Sequence, residues 1–268
     1  MFRNLTPIGL AHVGSLGTSP VLSPYGDLEM ILAPLAISCR KYKARCRARS
    51  QSLFSILDSG ALELAAGTSG VEMSDSDLIA LAVELGVHEV VCSDCPEDSS
   101  RSIKRTRDFL RLWRRLPPNV RPRAMIVPHG RSRSEWLRNA DTLVREVGRC
   151  TVGIPRLLSA RCGDGTGGFR VRLAAAVKQR HPQVDVHLLG AGEDFLVELS
   201  MLRETPHVRS VDSTFLHRYG YSGADPNRVY VPPLPLNDPA IPNGFEARVC
   251  RLARTLNSAL RGRATCHD

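Results

Sequence analysis

The stretch Leu53-Phe54-Ser55-Ile56-Leu57-Asp58-Ser59-Gly60 decides the predicted fold of this chain. It is an apolar run of strand length that ends in a carboxylate, a hydroxyl group and a glycine. A buried parallel strand has such a run because both of its faces are covered. The glycine lets the backbone turn tightly or approach a ligand closely. We therefore predict a strand whose carboxyl end opens into a site.

A second stretch of the same kind lies far downstream. Val208-Arg209-Ser210-Val211-Asp212-Ser213 is again a short β-prone run that ends in Asp-Ser. In (β/α)8 barrels, catalytic side chains come from the ends of several different strands. Asp58 and Asp212 are therefore predicted to lie over one substrate at the mouth of a barrel.

Strand-like and helix-like segments alternate between these two stretches. Ser74 or Asp75 can cap a helix that runs to Leu85, and Gly86 stands where a helix-ending glycine belongs. Such alternation predicts a parallel sheet with crossover helices, and polar or glycine clusters at the strand ends favour a (β/α)8 TIM-type barrel. The length of 268 residues suits this fold. Further strands are predicted at residues 87–92, 124–127, 150–154, 184–189 and 208–211.

The remaining segments do not follow this alternation as clearly. We predict one barrel domain over residues 1–268, with a first strand at 28–37 that Pro34 interrupts. A weak strand at 228–231 is the candidate to close the circle. The other predicted segments are an irregular N-terminal arm at 1–27, a basic insertion at 40–50, and a proline-rich loop with a C-terminal helix at 231–268.

Positive charge is in excess and clustered. Lysine and arginine number 36 against 27 acidic residues, for a net charge of +9. Two clusters, one at residues 40–49 and one within residues 101–115, are predicted to hold a nucleic-acid backbone, because neutralised phosphates release condensed counterions. A solvated helix face is the alternative. The predicted nucleic-acid-binding residues are Arg40, Lys41, Lys43, Arg45, Arg47 and Arg49.

Several other classes of site gain little support. Cys92 and Cys95 form a CxxC without a second one, so a zinc site stays an alternative and no metal is expected. The Gly190-Ala191-Gly192 run lacks a third glycine, and residues 163–168 lack the Lys-Ser/Thr of a P-loop, so no cofactor is expected. No apolar run approaches the roughly 20 residues of a membrane span, and a secretory pattern is absent. We expect a soluble, cytoplasmic protein.

The segment Ile56-Leu57-Asp58-Ser59-Gly60-Ala61 resembles the Asp-Ser-Gly signature of the tRNA-guanine transglycosylase superfamily. Five further segments follow in that family's order, and together they cover roughly residues 28–225. They are Ser93-Asp94, Val127-Pro128-His129-Gly130, Val152-Gly153-Ile154-Pro155, His187-Leu188-Leu189-Gly190-Ala191-Gly192 and Ser210-Val211-Asp212.

The resemblance implies base exchange by double displacement, without a cofactor. Asp212 would be the nucleophile, Asp58 the general acid and base, and Asp94 the reader of the guanine edge. The incoming substrate would be a free 7-deazaguanine base such as 7-cyano-7-deazaguanine. The other substrate-binding positions that it implies are Ser59, Gly60, His129, Gly153, Ile154, Leu189 and Gly190.

Three departures from the family pattern indicate a branch within it. Leu62 replaces the aromatic residue that stacks on the base, and His129 replaces a glutamine. The downstream zinc knuckle is absent. A short, basic, zinc-free chain resembles the DpdA-type enzymes, which insert 7-deazaguanine derivatives into DNA, with accessory modification proteins as further partners. Base exchange into tRNA, hydrolysis of a deazapurine nucleoside and nucleic-acid binding without catalysis remain alternatives.

Overall fold

The computed structural model describes residues 8–13, 18–61, 73–96, 98–163, 168–190, 195–202, 206–222 and 243–261. Within these ranges, eight parallel strands form one sheet in the order β1-β8-β7-β6-β5-β4-β3-β2. The chain therefore folds as a single, nearly closed (β/α)8 TIM-type barrel, which confirms the predicted fold class. The strands are β1 (Gly9–His12), β2 (Glu29–Leu32), β3 (Ser55–Asp58), β4 (Glu89–Val91), β5 (Arg123–Ile126), β6 (Thr151–Pro155), β7 (Asp185–Leu189) and β8 (Ser210–Ser213).

Helices follow the strands and pack on the outside of the barrel. They are α1 (Ser19–Leu22), α2 (Ala33–Ser38), α3 (Arg40–Ser50), α4 (Asp75–Leu85), α5 (Ser99–Trp113), α6 (Arg133–Val147), α7 (Leu157–Cys162), α8 (Phe169–Arg180), α9 (Phe195–Leu202), α10 (Phe215–Ser222) and α11 (Phe245–Arg261). A 3-10 turn spans Ser23–Tyr25. No helix among the described ranges is both long enough and apolar enough to cross a membrane.

Local sequence signals explain the best-formed helices. Ser74 caps α4 by accepting a hydrogen bond from the Asp77 amide at 3.2 Å, and Gly86 ends it with a φ of 64°. Trp136, fully buried on α6, donates its Nε1–H to the Pro128 carbonyl at 2.7 Å. Burial of one apolar stripe thereby fixes α6 against the barrel wall.

The predicted irregular arm at residues 1–27 is wrong where the structure describes it. Gly9–His12 forms β1 and pairs with β8, placing Ala11 beside Asp212. Four residues are too few to show a strand period, and the pairing partner lies some 200 residues away in sequence. Residues 228–231, the predicted closing strand, lie outside the described residues, and the strand that pairs with the outer edge of β8 is β1.

The barrel closes between β1 and β2 through one residue. The Asp27 amide donates to the Leu10 carbonyl at 2.8 Å, and the Leu10 amide donates to Asp27 Oδ2 at 3.2 Å. At this seam, one backbone hydrogen bond and one side-chain hydrogen bond thus take the place of the regular hydrogen bonds between paired strands.

Two further predictions near β2 need correction. The strand predicted at 28–37 ends at Leu32, because Pro34 occupies the first turn of α2, where its fixed φ and missing N–H are tolerated. The predicted insertion at 40–50 is α3, a regular barrel helix. Its buried Tyr42 accepts a hydrogen bond from the Leu32 amide at 3.3 Å.

Candidate active site

An ion pair that crosses the barrel identifies its interior face. Arg209 stands immediately before β8, and its Nη1 lies 2.6 Å from Glu89 Oε1 at the start of β4. These two strands are four positions apart in an order of eight, so they face each other across the barrel. Glu89, which is fully buried, therefore points into the interior.

The strand registers show that both predicted catalytic carboxylates also face the barrel interior. Residues in register on parallel strands share a face, and side chains alternate along each strand. Glu89 pairs with Ile56, so Asp58, two residues further along β3, also faces the interior. Ser210 also faces the interior by its register with His187, and so does Asp212, two residues beyond it on β8. The connecting register positions are Arg123, Met125, Thr151, Gly153 and His187.

Asp58 and Asp212 accordingly share one end of the barrel as well as one face. Asp58 is the last residue of β3, and Asp212 is the penultimate residue of β8. Because all strands are parallel, their carboxyl ends form one mouth. The two carboxylates enter this mouth from strands on different sides of the β1–β2 seam.

Asp212 is held through one of its two oxygens. Oδ1 accepts hydrogen bonds from His187 Nε2 at 3.0 Å and from the Gly190 amide at 2.8 Å. Gly190 has a φ of 66°, a conformation that glycine adopts without strain. Within the described part of the chain, no donor hydrogen-bonds to Oδ2. The carboxylate is thus oriented by one oxygen while the other is left for a ligand.

A serine supports the histidine behind this carboxylate. His187 is fully buried, and its Nδ1 lies 2.7 Å from the Ser210 hydroxyl oxygen. An imidazole with its proton on Nε2 satisfies both contacts, because it donates to Asp212 and accepts from Ser210. Sequence analysis did not single out His187 or Ser210 for this role, although Ser210 shares a strand face with Asp212.

The Asp-Ser-Gly turn after β3 is compact. The Gly60 amide donates to Asp58 Oδ1 at 3.3 Å, and Gly60 has a φ of 73°. The Ser59 hydroxyl is buried without a hydrogen-bond partner among the described residues. Buried hydroxyl groups are normally satisfied, so this oxygen marks a place where a ligand can supply the missing partner. Leu62 lies outside the described residues.

The predicted base-reading residues form a pair with each other. His129 Nε2 lies 2.6 Å from Asp94 Oδ2, and both residues are buried. The His129 carbonyl accepts a hydrogen bond from Asn139 at 2.8 Å, which fixes the loop after β5. The pair leaves Asp94 Oδ1 without a hydrogen bond from the described residues.

Gly153 and Leu189 meet inside the barrel. A Cβ atom at Gly153 would stand 2.7 Å from Leu189 Cδ1 and 3.2 Å from Met125 Sδ, so side chains already fill the space beside this glycine. Ile154 is buried on the opposite face, in register with Leu188. The structure therefore places Gly153 in the packed interior and Ile154 towards the helices.

A buried arginine fastens the strand ends next to Gly190. Arg170 on α8 donates to the carbonyl of Ile154 at 3.1 Å and to that of Leu189 at 3.0 Å. Its Nε and Nη2 bind the two carboxylate oxygens of Glu198, at 2.8 and 2.6 Å. Such a bidentate pair fixes geometry as well as charge. Arg170 thus sets the position of the loop whose amide reaches Asp212.

His12, at the end of β1, is a titratable residue near the mouth that was not predicted from the sequence. It lies in register with Ser213, and its Nδ1 has no hydrogen-bond partner within the described ranges. Burial lowers the pKa of His12 to about 4, against a smaller opposing effect of the Tyr25 backbone. His12 is therefore neutral at physiological pH.

The predicted nucleic-acid-binding cluster divides into two parts on α3. Lys43 binds Glu84 at 2.6 Å, and both Arg45 and Arg49 pair with Glu29 at the amino end of β2, at 3.6 and 2.8 Å. These three cations thus pair with two carboxylates, since Arg45 and Arg49 share Glu29. The exposed members of the cluster are Arg40, Lys41 and Arg47.

No group of three metal-binding side chains occurs among the described residues. Their cysteines are all free thiols. Burial raises the pKa of Cys92 well above its ordinary value and that of Cys150 to about 12, so neither thiol ionises at physiological pH. Cys266 and His267 lie outside the described residues.

Comparison with known proteins identifies a fold. No protein-family model and no curated protein matches the chain. The carboxyl transferase domain of Rhizobium etli pyruvate carboxylase with pyruvate is similar at a TM-score of 0.52 and 13% identity, over 97% of this chain and 48% of that chain. The same domain with pyruvate and biocytin gives the same four values.

A truncated 3-deoxy-D-arabino-heptulosonate 7-phosphate synthase from Thermotoga maritima is similar at a TM-score of 0.47 and 8% identity, over 93% of this chain and 86% of that chain. The chain spans about half the length of the carboxyl transferase domains that it matches. Identities this low establish a likeness of fold alone.

Proposed function

We propose that this protein is an enzyme, a DNA-guanine transglycosylase that exchanges guanine in DNA for a 7-deazaguanine base. The observation that carries the proposal is the state of Asp212: one oxygen is held by His187 and Gly190, and the other has no hydrogen bond among the described residues. Asp58 shares its barrel face and mouth. The ordered resemblance to the tRNA-guanine transglycosylase superfamily supports this chemistry.

The first half of the reaction forms an ester. Asp212 Oδ2 attacks C1′ of the target deoxyguanosine while the bond from C1′ to the base breaks. The electron pair of that bond leaves with guanine, which takes a proton from Asp58. His187 and Gly190 keep Oδ1 in place meanwhile, so the attacking oxygen has a defined direction.

The second half restores the glycosidic bond. The incoming 7-deazaguanine attacks C1′, its N–H proton passes to the Asp58 carboxylate, and the ester bond to Asp212 breaks. Two inversions give net retention at C1′, the logic that retaining glycosidases share. Asp94 Oδ1 accepts hydrogen bonds from the base edge, and the Asp94–His129 pair fixes its orientation.

The target base must leave the DNA stack to reach Asp212. The Asp212 carboxylate is largely buried, and C1′ of a stacked nucleotide cannot approach a recessed group. We therefore expect single-stranded or unpaired target sites to react faster than fully paired ones.

A base-exchange assay tests the proposal. Purified protein is incubated with 7-cyano-7-deazaguanine and either single-stranded DNA, duplex DNA or tRNA, and the nucleosides and free bases are measured by mass spectrometry. We expect modified deoxynucleoside in DNA and an equal amount of released guanine. Incorporation into tRNA alone would assign the protein to the tRNA branch, and base release without incorporation would indicate a nucleoside hydrolase.

The variant Asp58→Ala tests the proton transfer in the same assay, with Asp141→Asn on the outer helix α6 as the control. We expect exchange to fall by roughly 100-fold or more in Asp58→Ala, the range for loss of a general acid and base. Full exchange activity in Asp58→Ala would remove this residue from the mechanism.

A further inference from the structure

We propose that an arc of arginines on the loops after β4, β5 and β6 holds the phosphodiester backbone of the DNA strand whose base enters the mouth. This inference rests on the proposed function and adds its substrate-binding surface. That surface differs from the α3 cluster, and it shares only Arg101 with the second basic cluster, at residues 101–115. We call these residues the rim arginines. They are Arg101, Arg131, Arg133, Arg156 and Arg161.

Chain direction places all five at the mouth. Arg101 lies in the first turn of α5 and Arg133 begins α6, and both helices start where a strand has just reached its carboxyl end. Arg131 lies in the connection from β5 to α6. Arg156 follows β6 directly, and Arg161 belongs to the short helix α7.

Contacts between the loops make the arc continuous. The Arg161 guanidinium donates to the Pro96 carbonyl in the loop after β4. The Cys162 thiol donates to the Gly130 carbonyl in the loop after β5 at 3.2 Å. Helix α7 therefore leans from β6 across the β5 loop to the β4 loop, and the rim arginines share one stretch of the mouth.

The rim arginines are exposed, and among the described residues none of them forms an ion pair. The carboxylates on the same described loops are occupied: Asp98 accepts the first amides of α5, while Glu135 accepts from the Arg131 amide and from Ser99. Three cations of the α3 cluster, by contrast, are paired with glutamates. Positive charge around a cleft concentrates a polyanion there.

One rim arginine adjoins the machinery that holds Asp212. The Arg156 amide donates to the Leu189 carbonyl at 2.9 Å, and a Cβ atom at Gly190 would stand 3.3 Å from Arg156 Cδ. Gly190 in turn donates to Asp212. A phosphate bound by Arg156 would therefore lie on the loop next to the one whose amide holds Asp212.

The test compares three triple variants that each remove three exposed positive charges. The rim variant is Arg131→Gln, Arg133→Gln and Arg156→Gln. The control is Arg111→Gln, Arg114→Gln and Arg115→Gln, at the other end of α5, and the competitor is Arg40→Gln, Lys41→Gln and Arg47→Gln on α3. Binding of a fluorescent single-stranded DNA oligonucleotide is measured for each at several salt concentrations, after thermal melting confirms folding.

We expect the slope of log affinity against log salt to fall by about 2 in the rim variant, since each lost phosphate contact on a single strand contributes about 0.7. The other two variants should keep the slope of the unmodified protein. An equal loss in all three, a loss confined to the α3 variant, or no DNA binding by the unmodified protein would overturn the proposal. Rim-dependent binding to tRNA without binding to DNA would overturn DNA as the partner.

Binding and exchange fail separately in this design. Rim-dependent binding without base exchange in the unmodified protein would retain this inference and refute the proposed function. Base exchange by the unmodified protein, together with an unchanged salt slope in the rim variant, would retain the proposed function and refute this inference.

Discussion

Both ends of the barrel interior contain carboxylates, but the partners of these carboxylates differ between the two ends. At the amino end, Glu89 receives both Nη atoms of Arg209, at 2.6 and 2.8 Å, and the Thr151 hydroxyl at 2.5 Å. Asp185 pairs with Arg123 in the same layer. At the carboxyl end, Asp212 is held by a histidine and an amide, and Asp94 by His129.

This difference separates carboxylates that serve the fold from the one that we propose is reactive. Burial opposes the charge of Arg209, but the hydrogen bonds and charge of Glu89 outweigh it, so the pKa of Arg209 is raised above its ordinary value. Arg209 therefore keeps its positive charge, and both carboxylate oxygens of Glu89 accept hydrogen bonds from it. Histidine and amide donors orient a carboxylate without capping both of its oxygens, and this leaves it able to bind or attack a ligand.

The sharpest way to break this comparison is to neutralise one aspartate at each end. Asp212→Asn should lower base exchange by at least about 1,000-fold, since loss of a nucleophile removes the covalent route. Asp185→Asn should retain activity within about threefold, because its carboxylate lies at the amino end of β7. Initial rates of exchange measure both. Equal losses in the two variants would show that position along the barrel does not decide reactivity.

The second largest effect is expected on stability. Glu89→Gln should lower the free energy of unfolding by about 3–5 kcal/mol, because the largely buried Arg209 loses its bidentate partner and keeps only Asp185, at 3.6 Å, among the described carboxylates. The double variant Glu89→Met with Arg209→Met should recover much of this loss. Urea denaturation measures all three proteins. A Glu89→Gln protein as stable as the unmodified one would contradict the structural role of this layer.

Acid should also lower the stability of the folded protein through His12, which lies at the mouth end of the barrel. Its pKa is lowered to about 4 in the folded protein, so the unfolded chain binds more protons between about pH 6.5 and 4. Stability is therefore complete above that window and falls as the pH falls through it, by at most about 3 kcal/mol. The variant His12→Gln should flatten this part of the stability profile. Parallel profiles for the two proteins would rule His12 out as the cause.

The smallest effect concerns the orientation of Asp212. His187→Phe should lower kcat by about 10- to 100-fold with little change in KM, the usual cost of losing a supporting partner of a reacting group. His187→Gln, which can still donate to Asp212, should recover part of the loss. An increase in KM alone would show that His187 acts on substrate binding instead.

The sequence predicted strands and helices wherever burial imposed a local pattern. The run that includes β3 is apolar, and Ser74 and Gly86 mark the two ends of α4, so both were identified. β1 was missed because Gly9–His12 is a strand only through its pairing with β8. Pro34 was interpreted as an interruption, although it stands in the first turn of α2.

The sequence predicted individual residues of the candidate site, but not which of them contact each other. Asp58 and Asp212 could be placed at strand ends, because Asp58 follows an apolar run and Asp212 follows a short β-prone run. The Asp94–His129 pair and the contact from His187 to Asp212 join residues 35 and 25 positions apart. Such partners depend on barrel closure and strand register, which no local pattern contains.

Mass-spectrometric mapping of the covalent intermediate shows whether Asp212 is the nucleophile. The protein is incubated with a guanine-containing oligonucleotide without a 7-deazaguanine base, denatured in acid and digested, and the peptides are sequenced by tandem mass spectrometry. A deoxyribose ester on Asp212 is the predicted result, and it should be absent from Asp212→Asn. An ester on any other residue, or an adduct that persists in Asp212→Asn, would contradict the account.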